Sequence, residues 1–398
     1  MLHYEFPKIE HLNDVRPAIE GRDEFIIAER DWGYVVNYMV NMPDTFPQVF
    51  TDGVYDLYAA IRRECRGILF HKDGTLMSRR LHKFFNVNER DETQENQIDW
   101  SRPHVILEKL DGSMITPVYT QSGVRWGTKM GITDVSMGAE LFVANHSNYE
   151  RAAKDMQALG KTMVFEWCSR KQRIVIDYPV DRLVLIAIRN NVSGEYESYE
   201  YLQAVAAQYD LDLVRAYKGT AANMAALIAE TRETEGMEGW IIRFDNGQML
   251  KVKGDWYCRI HKTKDNITME KNVIELIVND KLDDTKSFML EEDRHRVEQF
   301  EAEFWNGFNY SVQSYERYFN TVVASGLDRK RYALEWKPTI EKNDPVAPQI
   351  VFGCFQGRKV SDMLLDIIRK NCNTQTKVDA VRHLWGGYAW SYHFEGDN

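Results

Sequence analysis

Cysteine is scarce in this chain, and the few cysteines are far apart. There are five of them, and no two form a C-x-x-C pair. Such wide spacing argues against a disulfide framework and against a cysteine-rich zinc site. A reducing cytoplasm is therefore the expected location.

Several other sequence signals are missing. No run of about 18 uncharged apolar residues occurs, so we expect no membrane span. The N-terminal residues contain no basic region followed by an apolar run, so we expect no signal peptide. The ten histidines lack H-E-x-x-H and H-x-x-x-H spacing, and no G-x-x-x-x-G-K-[ST] is found. Neither a histidine zinc site nor a fused P-loop kinase is therefore expected.

An excess of positive charge is absent as well. The formal net charge is −10 and the pI is about 5.6, whereas contacts to nucleic-acid phosphates need Lys and Arg. A nucleic-acid function must therefore depend on local basic clusters. The chain is 44% hydrophobic and 12% aromatic over 398 residues, which is enough for sizeable cores and predicts two domains.

Strand patterns dominate the chain up to about residue 254. Three pairs of β-rich segments flank K-D-G, Q-S-G and D-N-G turns, at residues 67–71 with 75–78, 113–120 with 124–128, and 240–244 with 249–253. Further β-rich runs lie at 163–168, 173–177 and 183–188. Helical patterns lie at 53–64, 147–159, 199–209 and 221–232. This pattern of hairpins interrupted by helices predicts an α+β fold with mostly antiparallel sheets.

The last third of the chain has a different pattern. Apolar residues recur there at helical spacing, at Ile274, Ile277 and Val278, at Phe300, Phe304 and Phe308, and at Met363, Leu364, Ile367 and Ile368. We therefore predict a helical C-terminal domain, with the boundary near residues 255–265.

The segment that carries chemistry is E-K-L-D-G-S, residues 108–113. Taken alone, K-x-D-G is weak evidence, because such a segment is more often a surface turn. Other short segments accompany it in order: R-G-I-L-F at 66–70, H-K-F-F-N at 82–86, F-E-W at 165–167, E-G-W-I at 238–241 and L-K-V-K at 250–253.

This ordered set resembles the covalent nucleotidyltransferases, the superfamily of ligases and capping enzymes. In its details it is most similar to the T-even phage RNA ligase 1 family. The resemblance implies an N-terminal nucleotidyltransferase domain at residues 1–258 and a helical domain at 259–398 for RNA or tRNA specificity. DNA ligases and capping enzymes carry an OB-type β-barrel after the K-x-K segment, whereas this region is predicted to be helical.

By this resemblance, Lys109 attacks the α-phosphate of ATP and becomes a lysyl-AMP. A lysine nucleophile must be neutral, and deprotonating an ordinary lysine at neutral pH costs about 4–5 kcal/mol. Positive charge from Arg66, Lys251 and Lys253, and from bound Mg²⁺, lowers that cost.

Lys251 and Lys253 stand two apart in a predicted strand, so their side chains share one face. A bound polyphosphate offsets their repulsion; a solvated strand face is the alternative. Glu166 lies in an apolar run and needs a partner, which is either a structural salt bridge or, by resemblance, the AMP ribose and a metal. The resemblance also assigns Glu238 to the metal, and Mg²⁺ needs only one or two carboxylates.

The remaining site residues follow from the resemblance. It assigns Arg66 to the nucleotide or a 5′-phosphate, with an ordinary surface arginine as the alternative, and it assigns Lys83 and Lys129 to the ATP phosphates. Ile241, close to Glu238 in sequence, is a candidate contact for one adenine face, with a plain core residue as the alternative. The full set of implied nucleotide-binding residues is Arg66, Lys83, Glu108, Asp111, Gly112, Lys129, Glu166, Ile241, Lys251 and Lys253. Asp283 and Asp284 match an acidic pair implicated in metal binding, although a solvated pair at a helix terminus is the alternative.

The implied function is ATP-dependent RNA ligation with Mg²⁺, for which Mn²⁺ is a possible substitute. Cleaved tRNA or single-stranded RNA ends are the expected partners, together with a separate polynucleotide kinase–phosphatase. A monomer in the cytoplasm, of the host cell if the chain is phage-encoded, is expected, with no membrane association. The alternatives are a DNA ligase, a capping guanylyltransferase, or an RNA-binding module with a decayed site.

Overall fold

The structure, a computed structural model, describes residues 5–42, 44–217 and 224–392. The chain divides into two units, Met1–Cys258 and Arg259–Asn398.

The first unit contains the strands. They are β1 (Phe25–Arg30), β2 (Gly33–Tyr38), β3 (Phe50–Thr51), β4 (Val54–Tyr55), β5 (Arg66–Phe70), β6 (Leu76–Ser78), β7 (Phe85–Asn86), β8 (His104–Lys109), β9 (Ser113–Thr120), β10 (Gly123–Gly127), β11 (Lys161–Cys168), β12 (Arg182–Asn190), β13 (Gly239–Phe244) and β14 (Met249–Lys253). The described strands form three four-stranded sheets, ordered β1-β2-β5-β6, β10-β9-β11-β12 and β7-β14-β13-β8, and the small pair β3-β4. All pairings are antiparallel except β7 with β14. The predicted α+β class is confirmed.

Helices cover these sheets and make up the second unit. They are α1 (Leu12–Ile19), α2 (Leu57–Glu64), α3 (Asp134–Ala144), α4 (Ser147–Ala158), α5 (Tyr199–Tyr209), α6 (Met224–Glu233), α7 (Asp255–Ile267), α8 (Glu270–Val278), α9 (Leu282–Lys286), α10 (Glu291–Ala324), α11 (Arg329–Arg331), α12 (Lys337–Asn343), α13 (Ala347–Cys354), α14 (Val360–Asn371) and α15 (Gln375–Val381). A π-helix, Tyr332–Trp336, joins α11 to α12. Among the described residues, no helix is both long and apolar enough to span a membrane.

The hairpin of β13 and β14 shows how turn residues fix a strand pair. Gly247 has φ +86°, a left-handed conformation that glycine adopts without strain. The side-chain oxygen of Asn246 accepts a hydrogen bond from the backbone N–H of Gln248 at 3.0 Å. The register that results pairs Gly239 with Lys253 and Ile241 with Lys251, which confirms the predicted hairpin.

One predicted strand is wrong. Residues 173–177 form no strand, and residues 174–176 are a bend. The backbone N–H groups of Val175 and Ile176 donate to Asp111 Oδ2, both at 2.7 Å. Since two consecutive N–H groups bind one carboxylate, this segment cannot extend a sheet ladder through them.

The predicted helices need smaller corrections. The helix expected from residue 53 begins at Leu57, because Val54–Tyr55 pairs with β3 and Asp56 caps the helix by accepting from Ala59 N–H at 2.9 Å. The helix expected at 221–232 is observed as α6, and residues 221–223 lie outside the described residues.

The second unit is helical, as predicted. The apolar residues at helical spacing form its core, with Phe300, Phe304 and Phe308 on one face of α10 and Ile367 and Ile368 on α14. The Phe304 ring lies 5.4 Å from that of the fully buried Trp385. Burial of this aromatic set stabilises α10, because an isolated helix gains little stability from propensity alone.

Candidate active site

A cavity of about 620 Å³ lies in the first unit, bordered by the sheet that contains β8, β13 and β14 and by the sheet that contains β9, β11 and β12. Nine of the predicted site residues line it: Arg66, Glu108, Lys109, Gly112, Lys129, Glu166, Ile241, Lys251 and Lys253. The other five lie outside this lining: Lys83, Asp111, Glu238, Asp283 and Asp284. The structure thus brings together segments that are up to 187 positions apart, from Arg66 to Lys253.

Lys109 is the last residue of β8, where it pairs with Gly239 of β13. Its Nζ lies 2.7 Å from Glu238 Oε1, and the same oxygen lies 2.9 Å from Lys253 Nζ. Glu238 is only 4% exposed, so its carboxylate forms a buried bridge between two lysines. Glu238 thus holds two of the lysines that line the cavity.

Gly112 permits a close approach of two strands at the cavity. A Cβ at this position would lie 2.3 Å from the Trp167 carbonyl oxygen and 3.1 Å from Glu166 Cγ. No side chain fits there without moving the backbone of β11. The glycine of the K-x-D-G segment therefore allows Lys109 and Glu166 to face the same space.

Asp111 is buried and holds the loop that follows Lys109. Besides the bonds from Val175 and Ile176, its Oδ1 accepts from the Tyr257 hydroxyl at 2.6 Å, and its own N–H donates to the Tyr178 hydroxyl at 2.9 Å. Both carboxylate oxygens are thus occupied by protein donors. The predicted contact of Asp111 with the nucleotide finds no support in this geometry, which instead gives Asp111 a positioning role for Lys109.

The pKa of Lys251 is strongly lowered. Burial, and then the positive charges of Arg66, Lys109 and Lys83, lower the pKa of Lys251 to about 6. Its Nζ lies 4.9 Å from the centroid of the Phe84 ring, which the Arg66 guanidinium also approaches, at 5.8 Å. A cluster of cations around one cavity is unfavourable unless an anion binds there, so this part of the cavity is suited to phosphate.

The pKa of Glu166 is raised, whereas that of Lys251 is lowered. Burial raises the pKa of Glu166 to about 7; the positive charge of Lys109 opposes this shift and the negative charge of Glu238 adds to it. The two carboxyl groups are therefore close enough to repel each other. A divalent cation would relieve this repulsion, and hard oxygen ligands of this kind are those that Mg²⁺ prefers.

The site also contains residues that the sequence analysis missed. The Nζ atoms of Lys83 and Lys129 lie 5.0 and 5.2 Å from the ring centroid of Tyr38, on β2. Burial alone would raise the pKa of Tyr38, but Lys83, Arg66 and Lys129 outweigh it and lower that pKa. Lys83 and Lys129 thus converge on a tyrosine, and the resulting cationic cluster extends the site beyond the cavity lining.

Phe84 and Arg243 were missed as well. Both line the cavity. Arg243 is 5% exposed, and its Nη1 has no hydrogen-bond partner among the described residues. Phe84 directly follows Lys83 in the H-K-F-F-N segment, so that segment could have indicated it, whereas no local signal marked Arg243.

Asp283 and Asp284 lie in the second unit, on α9, and both are exposed. Asp283 Oδ1 accepts from Lys286 Nζ at 3.0 Å, within one turn of the helix. In the described residues no group of three or more His, Cys, Asp or Glu has metal-binding geometry. The metal role of this pair stays a prediction.

Comparison with protein families decides the wider relationship. Residues 64–264 match the model described as RNA ligase, and residues 264–378 match the model of the T4 RNA ligase 1 C-terminal domain. The chain belongs to the T4 RNA ligase 1 family. Its K-x-D-G, F-E-W, E-G-W and L-K-V-K segments all fall within the first of these matches.

Relatives of this RNA ligase family member are found in bacteria and phages. A Thermovibrio ammonificans protein named as a candidate RNA ligase is 31% identical over 251 residues, which is 61% of this chain and 62% of that protein. RNA ligase 1 of Bacteriophage TS2126 is 26% identical over 240 residues, 56% of this chain and 57% of its own. The chain thus spans about three fifths of the length of these relatives. A solved archaeal ATP-dependent RNA ligase is 12% identical, with 64% of each chain covered and a TM-score of 0.40.

Proposed function

We propose that this chain is an ATP-dependent RNA ligase that carries AMP on Lys109. One observation carries the proposal. In a chain of this family, Lys109 lies in a cavity with its Nζ 2.7 Å from Glu238, and Lys251 and Lys253 lie on β14 of the same sheet.

The first step forms a phosphorus–nitrogen bond. The neutral Lys109 amine attacks the α-phosphorus of ATP, the bond from that phosphorus to the bridging oxygen breaks, and pyrophosphate leaves with the bonding electron pair. The nitrogen becomes positively charged on attack and then releases one proton to solvent. The ion pair of Lys109 with Glu238 must open before attack, because an ammonium group has no lone pair.

The cations of the cavity support this step. Arg66, Lys251 and Lys253 can neutralise the charge that develops on the phosphates, and preorganised charge is usually the largest contribution to such catalysis. Lys83 and Lys129, which lie near Tyr38, would bind the β- and γ-phosphates and the pyrophosphate that leaves. Ile241 would contact adenine and Glu166 the ribose.

A divalent cation fits the carboxyl groups of this site. Glu166 and Glu238 are the residues that would hold it, with substrate phosphates completing the oxygen ligands. When bound, the cation supplies charge neutralisation on the phosphates. Occupation of Glu238 would also free Lys109 from its ion pair. Mg²⁺ is proposed as the metal, with Mn²⁺ as a substitute.

The later steps transfer AMP to RNA. The 5′-phosphate oxygen of the RNA attacks the phosphorus of Lys109-AMP and breaks the phosphorus–nitrogen bond, which gives an RNA-adenylate. A 3′-hydroxyl then attacks the 5′-phosphate phosphorus, AMP leaves, and a phosphodiester bond joins the two ends. Lys109-AMP and the RNA-adenylate each contain one activated bond to phosphorus, and the last step uses it to form the phosphodiester bond.

The covalent intermediate is the direct test. The protein is mixed with ATP labelled at the α-phosphate and Mg²⁺, denatured, and examined for label that remains bound. We expect label on the wild type and on Lys72→Ala, a control lysine on an exposed hairpin turn, but none on Lys109→Ala. Label that persists in Lys109→Ala, or is absent from the wild type, would refute the proposal.

Two alternatives remain for this site. Another covalent nucleotidyltransferase would prefer GTP over ATP in the labelling assay, or would seal nicked DNA rather than RNA. An RNA-binding module with a decayed site would bind RNA without labelling. The intact set of lysines and carboxylates favours the ligase.

We further propose cleaved tRNA as the physiological substrate, because residues 264–378 match the C-terminal domain of T4 RNA ligase 1. A separate polynucleotide kinase–phosphatase would prepare the 5′-phosphate and 3′-hydroxyl ends in the cytoplasm, and the ligase would act as a monomer. Comparing ligation of cleaved tRNA with that of unstructured RNA tests the substrate preference.

A further inference from the structure

The helical unit contains a second cavity, of about 630 Å³. It is bounded by α10, by α12 and by the turn at residues 383–387. Tyr310, Tyr315 and Tyr318 supply its aromatic wall. We call it the tyrosine cavity; its volume is within the range of small-molecule sites, about 300–1,000 Å³.

The tyrosine cavity suits an uncharged ligand. Asp344 is the one carboxylate among its described lining residues, and both of its oxygens are occupied. Oδ1 accepts from the N–H groups of Val346 and Ala347, at 2.9 and 3.0 Å, and Oδ2 accepts from the Tyr315 hydroxyl at 2.8 Å. The described lining includes no Lys or Arg, although it does include His383, so a phosphate group would find no permanently charged cation inside.

Polar groups around the tyrosine cavity are available for hydrogen bonds. The side chains of Ser311, Ser314 and Asn343 have no hydrogen-bond partner among the described residues. Tyr310 is 66% exposed, so much of its ring is open to a ligand. Rings beside unpaired amide and hydroxyl groups match a planar ligand that has hydrogen-bonding edges, as a nucleobase has.

One cation lies beside the exposed ring of the tyrosine cavity. The Arg317 guanidinium is 6.0 Å from the Tyr310 ring centroid, and Arg317 is exposed. A cation outside a neutral cavity can bind a phosphate next to an inserted base. From this arrangement we infer that the tyrosine cavity binds one unstacked base of the RNA substrate, an inference that rests on the proposed RNA function.

Binding of labelled single-stranded RNA to the full chain tests this inference. At fixed salt, fluorescence anisotropy gives the Kd for short A-, C- and U-rich RNAs. We expect Tyr310→Ala to weaken the best of these by about fivefold to a hundredfold, since one stacked base is lost. Tyr310→Phe keeps the ring and should stay within about twofold. Asn343→Ala should change the ranking of the three RNAs, because an edge-reading group is removed.

Tyr58→Ala is the matched control. Tyr58 is 47% exposed on α2 of the first unit, and its loss should leave Kd unchanged. The inference is overturned if Tyr310→Ala binds every RNA as the wild type does, or if Tyr58→Ala weakens binding equally. Labelling of Lys109 should be normal in Tyr310→Ala. Failure of labelling in the wild type would refute the ligase proposal, yet the Kd comparison would still decide the tyrosine cavity.

Discussion

Glu238 holds Lys109 in an ion pair, with 2.7 Å between Oε1 and Nζ, and shares the same oxygen with Lys253 at 2.9 Å. A lysine in an ion pair has no free lone pair on its nitrogen, whereas attack on ATP needs the neutral amine. Glu238 is therefore a carboxylate whose partners must change during the proposed reaction. Glu238 is buried directly before β13, which lies between β8 and β14 in the sheet. It can therefore reach both Lys109 on β8 and Lys253 on β14.

Glu238→Gln tests the role of this carboxylate in the proposed reaction. The amide cannot hold a divalent cation as a carboxylate does, so we expect the rate of Lys109 adenylation to fall by about a hundredfold or more, although Lys109 is also released from its ion pair. Initial rates of label incorporation at saturating ATP measure the effect. Glu235→Gln, an exposed glutamate in the same loop, is the control and should keep the wild-type rate. A normal rate for Glu238→Gln would refute the role of this carboxylate.

Asp111→Ala tests the positioning of the nucleophile. The change leaves the N–H groups of Val175 and Ile176 and the Tyr257 hydroxyl without their acceptor, and each unsatisfied buried group costs about 1–3 kcal/mol. We expect the free energy of unfolding to fall by about 3 kcal/mol, as measured in urea.

Tyr257→Phe is the graded comparison for Asp111→Ala. It removes one hydrogen bond and should cost about 1 kcal/mol. Adenylation by Asp111→Ala, measured where the protein is still folded, should also be slower than that of Tyr257→Phe. Equal stability losses in the two variants would show that the backbone donors contribute nothing.

Local patterns predicted part of the fold well. The D-N-G turn specifies the β13–β14 hairpin because Gly247 needs a left-handed φ, and this requirement is visible in sequence. The strand expected at residues 173–177 failed because its N–H groups serve Asp111, 64 positions away from Val175. The hairpin of β1 and β2 was not predicted, since its first strand alternates poorly: Ile26 is exposed and Ile27 half-buried.

The candidate site, like the fold, could be predicted only in part from the sequence. Lys109, Lys251 and Lys253 were found through segments whose order along the chain is informative. Tyr38 carries no such signal, because a tyrosine in a strand is ordinarily part of a packed surface. Its cationic neighbours Lys83 and Lys129 come from segments 45 and 91 positions further on, and only the tertiary fold brings them to its ring.

The lowered pKa of Lys251, about 6, predicts proton uptake when ATP binds. Above that pKa the empty site holds the amine mostly neutral, and a triphosphate favours the charged form, so the site takes up close to one proton at about pH 7.5. Below pH 6 the amine is already charged and uptake should vanish. Calorimetry in two buffers of different ionisation enthalpy, with an ATP analogue that cannot react at the α-phosphate, measures the number of protons.

Lys251→Arg should abolish this uptake, because a guanidinium stays charged over the whole range. Lys253→Arg, at the neighbouring position of the same strand face, should keep it. If the wild type gives the same binding heat in both buffers at about pH 7.5, Lys251 is already charged in the empty site and the prediction fails.

Acid stability should depend on Glu64, which lies with Arg79 and Arg189 in a fully buried ion network. Burial alone would raise its pKa, but Arg189 and Arg79 lower the pKa of Glu64 to about 2, from an ordinary value of 4.5. Because the folded-state pKa is the lower one, this contribution is complete above about pH 4.5 and is lost as the pH falls towards 2. The shift corresponds to about 3 kcal/mol.

Glu64→Gln makes that contribution measurable. It leaves two buried guanidinium groups without their carboxylate and should lower the free energy of unfolding at neutral pH by about 3–5 kcal/mol. It should also flatten the fall of stability between about pH 4.5 and 3 that urea denaturation shows for the wild type. Glu92→Gln is the comparison, since Glu92 pairs with the buried Arg63 from a half-buried position. If Glu64→Gln loses stability on acidification as steeply as the wild type, other carboxylates cause the acid sensitivity.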